Sequence, residues 1–270
     1  MLFFPNCKIN LGLNVVARRD DGYHNLETVF YPVKLLDALE VLKTSGTTTL
    51  EVSGKTIDCS QDDNLCIKAY RMLKADFEQI PSVNILLYKN IPSGAGLGGG
   101  SADGAFTLLL LNKKFKLGLS QEKLVEYALR LGSDCPFFII NSPSFAASRG
   151  EKLEPCEVNL QDYNIVLVSP GIHIATATAF KNIEPKTPQQ SAREIVKLPP
   201  EKWKHLLSND FEGTVFSIFP KLKRIKEQLY ASGAVYASMT GTGSTLYGIF
   251  PKGMKQPPFH EEYRVDCIPG

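Results

Sequence analysis

The sequence predicts an α+β fold organised as two domains. A chain of 270 residues is long enough for one large domain or two of ordinary size, and 43% hydrophobic with 21% charged residues is typical of a globular protein with a sizeable core. Strand-like and helix-like segments follow one another without the regular βαβ rhythm of a doubly wound sheet. The Pro- and Glu-containing stretch "RGEKLEPCEVNLQDY" is the expected connection between the two domains, so we predict domains at 1–157 and 158–270.

Hydrophobic periodicity and capping residues predict the individual elements. Residues 7–16 alternate between apolar side chains and a set that includes Lys8, Asn10 and Asn14, which predicts a half-buried strand with a polar face. Ser120 is a suitable N-cap for the helix "QEKLVEYALRL". The other predicted elements are strands at 26–35, 83–91 and 164–171, further β structure over 36–54, helices at 62–77, 106–115 and 221–230, and two strands around "MTGTGSTLYGIF".

Charge and cysteine usage exclude several classes of protein. A net charge of +2 gives no support to nucleic-acid binding, although a local basic pocket for an anionic small molecule remains compatible with it. The six cysteines form no CxxC pair and the four histidines no HExxH motif, which leaves open only a zinc site assembled from distant parts of the chain. No apolar run reaches the roughly 18 residues that a membrane span needs. We therefore expect a cytoplasmic protein with free cysteines and no membrane partner.

The stretch "IPSGAGLGGGSADGAF", residues 91–106, is the strongest local feature of the sequence. Glycine permits the backbone angles of a nest of N–H groups, and such a nest before a helix attracts anions. One interpretation is a phosphate-binding loop, and the other is a glycine-rich turn between a strand and a helix. The residues alone leave both interpretations open.

Two familiar nucleotide motifs fit this stretch poorly. In the pattern GxxxxGK[ST], Gly94 and Gly99 are in register, but Gly100 stands where the lysine should be, so this is not a Walker loop. The dinucleotide pattern GxGxxG matches literally, yet Pro92 and Ser93 separate it from the preceding strand and it lies far from the N-terminus.

Four other features have an ordinary structural explanation when they are considered singly. Lys8 would be a solvated lysine on the polar face of a strand, and Lys89 a strand-edge lysine. Asp134 precedes Pro136 and would be the N-cap of a short helix, because Asp caps well and Pro favours the first turn. The string "MTGTGSTLYG" would be a tight hairpin loop.

Taken together, these segments resemble the GHMP kinases, the family named for galactose, homoserine, mevalonate and phosphomevalonate. The string from Pro92 to Ala102 resembles the ATP loop of that family, and "CKINLGL" and "LGSDCPFF" resemble two further segments. The resemblance implies a ribosomal-protein-like N-terminal domain, a ferredoxin-like C-terminal domain, and transfer of a phosphoryl group from ATP with Mg²⁺ to an alcohol. It covers nearly the whole chain, in the order of the family's motifs.

The resemblance also implies roles for individual residues. Lys8 and Asp134 would flank the acceptor hydroxyl, with Asp134 taking its proton or chiefly positioning it, two alternatives that the sequence leaves open. Ser101 would approach Mg²⁺, and Lys89 is a candidate for extra positive charge. The residues expected to border ATP are Asn64 and Leu65 on the adenine side and the loop residues Pro92, Ser93, Gly94, Ala95, Gly96, Leu97, Gly98, Gly99, Gly100, Ser101 and Ala102.

The motifs resemble most specifically a branch of the family that phosphorylates a cytidine diphosphate-linked polyol in the non-mevalonate isoprenoid pathway. Tyr23 and Phe180 would then sandwich the pyrimidine, since aromatic rings stack on any base. Without the resemblance they would be turn and core residues. The other expected substrate contacts are Asn10, His24, Thr176, Gly241, Thr242 and Gly243. A kinase of homoserine or mevalonate type and a non-catalytic nucleotide-binding module are the alternatives.

The chain departs from the family pattern at two places. Asn6 and Cys7 replace a usual Pro-Ala pair, and strand alternation points Cys7 away from Lys8. The loop continues as Ala102-Asp103-Gly104 where Ser-Asn-Ala is more common, which removes one hydroxyl near the phosphates. A glycine inside a helix is expected to cost about 1 kcal/mol relative to alanine.

Overall fold

The computed structural model describes residues 1–57, 59–181, 183–254 and 258–270. They form two compact units: the first unit is Met1–Cys7, Leu35–Ser93 and Gly98–Ser142, and the second unit is Lys8–Lys34, Gly94–Leu97 and Pro143–Gly270. Each unit combines sheet and helix, which confirms the α+β class. The boundary at residue 157 stays a prediction, because these units are assembled from separated segments of the chain.

The first unit contains a four-stranded sheet in the order β1-β4-β6-β5, in which only the β5–β6 pair is parallel. Its strands are β1 (Leu2–Phe3), β4 (Ala38–Lys43), β5 (Thr49–Gly54) and β6 (Val83–Lys89). Its helices are α1 (Leu65–Asp76), α2 (Gly99–Phe115), α3 (Gln121–Leu131) and α4 (Cys135–Ile140).

Capping explains where the helices of the first unit begin. The Asn64 side chain accepts the N–H of Cys66, so α1 starts three residues later than the periodicity predicts. Ser120 accepts the N–H of Lys123, which confirms it as the N-cap of α3. Helix α2 begins at Gly99, seven residues before the predicted start, because Gly98 turns the chain with a φ of +72°. Gly98, Gly99 and Gly100 therefore lie at or inside the N-terminus of α2.

The second unit contains two four-stranded sheets. One has the order β2-β3-β7-β8, with β2 (Asn6–Arg18), β3 (His24–Leu36), β7 (Ser144–Ser148) and β8 (Lys152–Pro155). The other is antiparallel with the order β10-β11-β9-β12, formed by β9 (Tyr163–Ser169), β10 (Tyr236–Met239), β11 (Leu246–Pro251) and β12 (Arg264–Pro269). Its helices are α5 (Thr176–Phe180), α6 (Ala192–Ile195), α7 (Phe211–Ile218) and α8 (Pro220–Ala231), with a 3₁₀ turn at Pro200–His205.

Strand β2 differs from its prediction in one respect. The polar face expected to meet solvent is buried, with Lys8 and Asn10 at 3% and 2% exposure and Asn14 at 8%. Buried polar groups are tolerated where hydrogen bonds satisfy them. Side chains of β3 and of the loop after β10 bond to Asn10, the Asp210 side chain bonds to Asn14, and Lys8 bonds to Asn10 and to the carbonyl of Gly96.

No helix among the described residues is both long and apolar enough to cross a membrane. All six cysteines are free, as the sequence predicts.

Candidate active site

The first part of the glycine stretch is held by its own carbonyl groups. Within the second unit, the carbonyl of Ala95 accepts the N–H of Thr245 at 3.2 Å, and that of Leu97 accepts the N–H of Lys8 at 3.0 Å. A Cβ on Gly96 would lie 2.1 Å from the carbonyl oxygen of Thr240, so only glycine fits there. Gly94 likewise leaves room for the ring of His173. These two glycines are required by packing.

The second part of the stretch is the N-terminus of α2 in the first unit. The N–H groups of Gly99, Gly100 and Ser101 belong to the first turn, where no carbonyl four residues earlier is available to a helix. A Cβ on Gly99 would meet Ile91, but a Cβ on Gly100 would find nothing within 4 Å. Exposed N–H groups at the positive end of a helix dipole attract anions. No neighbouring atom therefore requires a glycine at position 100, and the open space beside it can admit a ligand.

Ser101, the expected metal-proximal residue, lies beside the buried thiol of Cys135. Burial raises the pKa of Cys135 to about 12, the Ser101 hydroxyl opposes this shift, and the neighbouring Asp134 carboxylate adds to it. The first unit thus links Ser101 to the segment that contains Asp134. No cluster of three or more His, Cys, Asp or Glu side chains suited to a metal occurs in the parts of the chain that the structure describes.

Asp134 stands at the N-cap position of α4, as expected if it served only to begin a short helix. However, its side chain makes no capping hydrogen bond. Its backbone has φ −82° and ψ −17°, which is helical, whereas a capping residue is usually extended. The capping interpretation is therefore wrong for the side chain. The half-buried Asp134 carboxylate is not used to begin the helix.

Lys8 is not a solvated lysine, because its side chain is buried within the second unit. Its ammonium donates to the side-chain oxygen of Asn10 at 2.7 Å and to the carbonyl of Gly96 at 3.1 Å. It also lies 5.1 Å from the centre of the Phe30 ring, a cation–π contact.

Thr240 joins Asn10 to the glycine stretch and was not singled out from the sequence. Its hydroxyl oxygen lies 3.1 Å from the side-chain oxygen of Asn10 and 3.2 Å from the carbonyl oxygen of Gly96, either of which can accept its single proton, and it accepts the N–H of Asn10. Thr28 and Tyr247 complete the surroundings of Asn10, by accepting from its amide and donating to its carbonyl. The position of Thr240, directly before Gly241, was the available signal.

The loop after β10 lies against the same residues of the second unit. A Cβ on Gly241 would lie 3.2 Å from the carbonyl of Gly96 and 3.6 Å from the ammonium of Lys8. Asn209 donates to the carbonyls of Met239 and Gly241 at 2.8 and 2.9 Å and holds this loop in place. The sequence contains no signal for Asn209, which stands between two other polar residues, Ser208 and Asp210, before a helix. The structure therefore brings together Lys8, Asn10, Gly96, Thr240 and Gly241, with Thr242 and Gly243 continuing the loop.

The predicted aromatic contacts are arranged differently from a Tyr23–Phe180 pair. His24 stacks on Phe180, with ring centres 4.8 Å apart, and Phe180 meets Phe211 edge-on at 4.7 Å. Tyr23 is 57% exposed and lies against the guanidinium of Arg149. The observed stacked pair in the second unit is therefore His24 with Phe180. Thr176 is the exposed first residue of α5.

Lys89 is almost completely buried and paired with two carboxylates of the first unit. Its ammonium contacts Asp37 and lies 2.7 Å from Asp103. Burial opposes its charge, but Asp103 and Asp37 raise the pKa of Lys89 overall. Burial also raises the pKa of Asp103 to about 7, against the attraction of Lys89. This geometry favours neither of the two roles expected for Lys89, which were an ordinary lysine at a strand edge and an ammonium that contacts a phosphate.

Asn64 and Leu65, expected on the adenine side, lie where α1 begins. The Asn64 side-chain oxygen is engaged by the N–H of Cys66 at 2.9 Å. Contact of Asn64 and Leu65 with a base stays a prediction.

Comparison with known proteins defines the class to which this fold and these residues belong. The family model for the GHMP kinases N terminal domain matches residues 64–142, and the model for the GHMP kinases C terminal domain matches residues 192–262. The chain belongs to the GHMP kinase family, whose members use ATP as the phosphate donor.

Individual relatives narrow this class. The chain is 51% identical over 253 residues to a Bacteroides fragilis (strain YCH46) protein named 4-diphosphocytidyl-2-C-methyl-D-erythritol kinase, covering 93% of this chain and 92% of the relative. A Cytophaga hutchinsonii protein of the same name is 46% identical, with 97% and 96% coverage. The crystal structure of a 4-(cytidine 5'-diphospho)-2C-methyl-D-erythritol kinase matches with a TM-score of 0.80 and 32% identity over 92% of this chain and 90% of that one.

Proposed function

We propose that the protein transfers the γ-phosphoryl group of ATP to a hydroxyl of 4-diphosphocytidyl-2-C-methyl-D-erythritol, a step of the non-mevalonate isoprenoid precursor pathway. The full-length similarity to kinases of that name supports the substrate. One structural observation carries the catalytic part of the proposal. The buried Lys8 ammonium donates to the carbonyl of Gly96, so a catalytic cation is fixed against the glycine stretch.

The phosphates of ATP bind at the N-terminus of α2 in this proposal. The N–H groups of Gly99, Gly100 and Ser101 donate to phosphate oxygens, and the open space above Gly100 admits them. Ser101 offers a hydroxyl oxygen of the kind that Mg²⁺ prefers, and Mg²⁺ is commonly held by one or two protein oxygens together with substrate phosphates. The residues thus fit the ion, which when bound neutralises charge on the phosphates.

Lys8 and Asp134 act on the acceptor hydroxyl. Its oxygen forms a bond to the γ-phosphorus while the bond from that phosphorus to the bridging oxygen of ADP breaks. Asp134 accepts the hydroxyl proton, and Lys8 offsets negative charge on the reacting oxygens. Asp134 also positions the hydroxyl oxygen in line with the bond that breaks.

The acceptor is recognised by residues of the second unit. The stacked rings of His24 and Phe180 offer a platform for the cytosine ring, with exposed Tyr23 beside His24 in the chain. Thr176 and Asn10 supply polar contacts, and the resemblance to the family implies that the loop of Gly241, Thr242 and Gly243 borders a phosphate group. The cytoplasmic location and the absence of a nucleic-acid partner stay predictions from the sequence.

The alternative substrates receive no comparable support. The Methanococcus jannaschii mevalonate kinase structure matches with a TM-score of 0.70 at 14% identity, which shows the fold alone. A non-catalytic binding module would not need the buried Lys8 with its dedicated hydrogen bonds.

Release of ADP from Mg²⁺-ATP tests the proposal when four acceptors are compared in parallel. We expect turnover with 4-diphosphocytidyl-2-C-methyl-D-erythritol and none with homoserine, mevalonate or galactose. Turnover with another alcohol would overturn the substrate, and ATP binding without any turnover would favour the binding module. Competition by cytidine nucleotides against the acceptor, and not against ATP, is the expected second result.

A further inference from the structure

Lys89 is the centre of a buried charge network that the phosphoryl-transfer chemistry does not use. Its side chain is 1% exposed, and those of Asp37 and Asp103 are 0% and 5% exposed. One Asp103 oxygen accepts from Lys89, whereas the other, Oδ1, has no hydrogen-bond partner within the described residues. Burying a charged side chain costs free energy unless the charge is paired. We therefore expect this network to have a structural or functional role.

One end of the network clamps the segment that leads into the glycine stretch. Asp37 Oδ1 accepts the N–H groups of Asn90 and Ile91 at 2.5 and 2.8 Å, while its other oxygen takes the ammonium of Lys89. The chain between β6 and the loop is thereby fixed through both its backbone and a side chain.

The other end of the network reaches helix α2. Asp103 lies in the second turn of α2, and its carboxylate receives Lys89 at 2.7 Å. A Cβ on Gly99, the first residue of the helix, would lie 2.9 Å from the Ile91 side chain and 3.4 Å from the ammonium of Lys89. The first turn of α2 therefore rests directly on the clamped segment.

We propose that Lys89 is a positioning residue for ATP, which holds the first turn of α2 in place through Asp103 and does not contact the phosphates itself. The proposal rests on the proposed binding of phosphate at this helix. Lys89 has its ammonium against two carboxylates on the inner side of the helix, away from the open space at Gly100. A misplaced helix N-terminus would turn its N–H groups away from the phosphates.

Two substitutions of one residue separate positioning from direct contact. Asp103→Asn keeps an oxygen that accepts from Lys89, whereas Asp103→Ala releases Lys89 from the helix. We expect Asp103→Ala to raise the KM for ATP about tenfold and Asp103→Asn to change it less than about twofold. The KM for the acceptor should change less than about twofold in both variants.

The opposite pattern would overturn the proposal. If Lys89 touched phosphate, Asp103→Ala would leave a freer ammonium and an unchanged or lower KM for ATP. Equal losses in Asp103→Ala and Asp103→Asn, or equal increases in both KM values, would also contradict it. Glu126→Ala is the matched control, because it removes a carboxylate from an exposed ion pair with Lys123 in the same unit.

A further variant separates failure of this proposal from failure of the ATP site itself. Gly100→Val fills the open space without touching the network. If Gly100→Val raises the KM for ATP and Asp103→Ala does not, only the role of Lys89 is wrong. If neither variant changes it, phosphate does not bind at this helix, and both proposals fall. Thermal unfolding of each variant identifies a loss of activity that is caused by misfolding. For Asp103→Ala, the ratio of the KM for ATP to the KM for the acceptor, measured on the folded enzyme, then decides whether the ATP site alone is affected.

Discussion

The ammonium of Lys8 and the side-chain oxygen of Asn10 are joined by a 2.7 Å hydrogen bond on the buried face of β2. Asn10 is itself fixed by Thr28 and Thr240, so the lysine has a defined position before any substrate arrives. Charge that is oriented in advance stabilises a transition state without a reorganisation cost. In the proposed mechanism, Asn10 therefore contributes to catalysis chiefly by orienting Lys8.

Replacing Asn10 should reduce catalysis more than it reduces folding. Asn10→Ala removes the acceptor of Lys8 and should lower kcat by about 10- to 100-fold, because small misplacements of catalytic groups have effects of this size. Asn14→Ala is the matched control, since Asn14 is also buried on β2 but bonds to Asp210 and not to Lys8. Steady-state kinetics and thermal unfolding of both variants test this. Equal kcat losses at equal stability would contradict it.

Gly100 should tolerate a side chain structurally but not functionally. No atom lies within 4 Å of its added Cβ, and its backbone is helical. Gly100→Val should leave the unfolding free energy within about 1 kcal/mol of the parent, because valine has a better helix propensity than glycine. The KM for ATP should rise more than about tenfold, as the side chain occupies phosphate space. An unchanged KM for ATP would place the phosphates elsewhere.

Gly104 should be needed for packing, contrary to the expectation from helix propensity. An alanine Cβ there would lie 2.8 Å from the Cβ of Leu65, where α1 and α2 approach each other. Gly104→Ala should destabilise the protein by about 1–3 kcal/mol, the usual cost of overpacking. In contrast, Gly213→Ala in α7 meets nothing within 4 Å and should stabilise by up to about 1 kcal/mol. Urea unfolding measures both, and stabilisation by Gly104→Ala would contradict this account.

Cys66 should remain unreactive in the folded protein over a wide pH range. Burial, assisted by the nearby charge of Asp103, raises the pKa of its thiol, so little thiolate forms. Exposed Cys59 and Cys267 should be alkylated in the native protein, and Cys66 only after unfolding. The raised folded-state pKa also makes the free energy of unfolding depend on pH. Below the ordinary thiol pKa of about 8.5 the contribution of Cys66 to stability is complete. It is lost as the pH rises above that value, because the thiol of the unfolded chain then loses its proton first. Native alkylation of Cys66 at pH 8 would contradict this.

Hydrophobic periodicity and capping predicted the elements well, and motif order led to the family. The positions of β2, α3 and α8 follow from local sequence, which acts over a few residues. Lys89 and Gly104 were misjudged because their partners, Asp37 and Leu65, are 52 and 39 residues away in the chain. Asn209 gave no signal, because it bonds to the backbone carbonyl groups of Met239 and Gly241, and every residue type has such a group. Tertiary contacts of this kind leave no local pattern.

The most direct test of the central claim is ³¹P NMR of the reaction products of the wild-type enzyme with Mg²⁺-ATP and 4-diphosphocytidyl-2-C-methyl-D-erythritol. Phosphoryl transfer predicts a new phosphomonoester resonance that grows in equal amount with ADP while the diphosphate of the acceptor stays intact. Asp134→Asn should slow this growth at least about 100-fold. Formation of ADP with inorganic phosphate and no phosphomonoester would contradict the account, as would a wild-type rate in the Asp134→Asn variant.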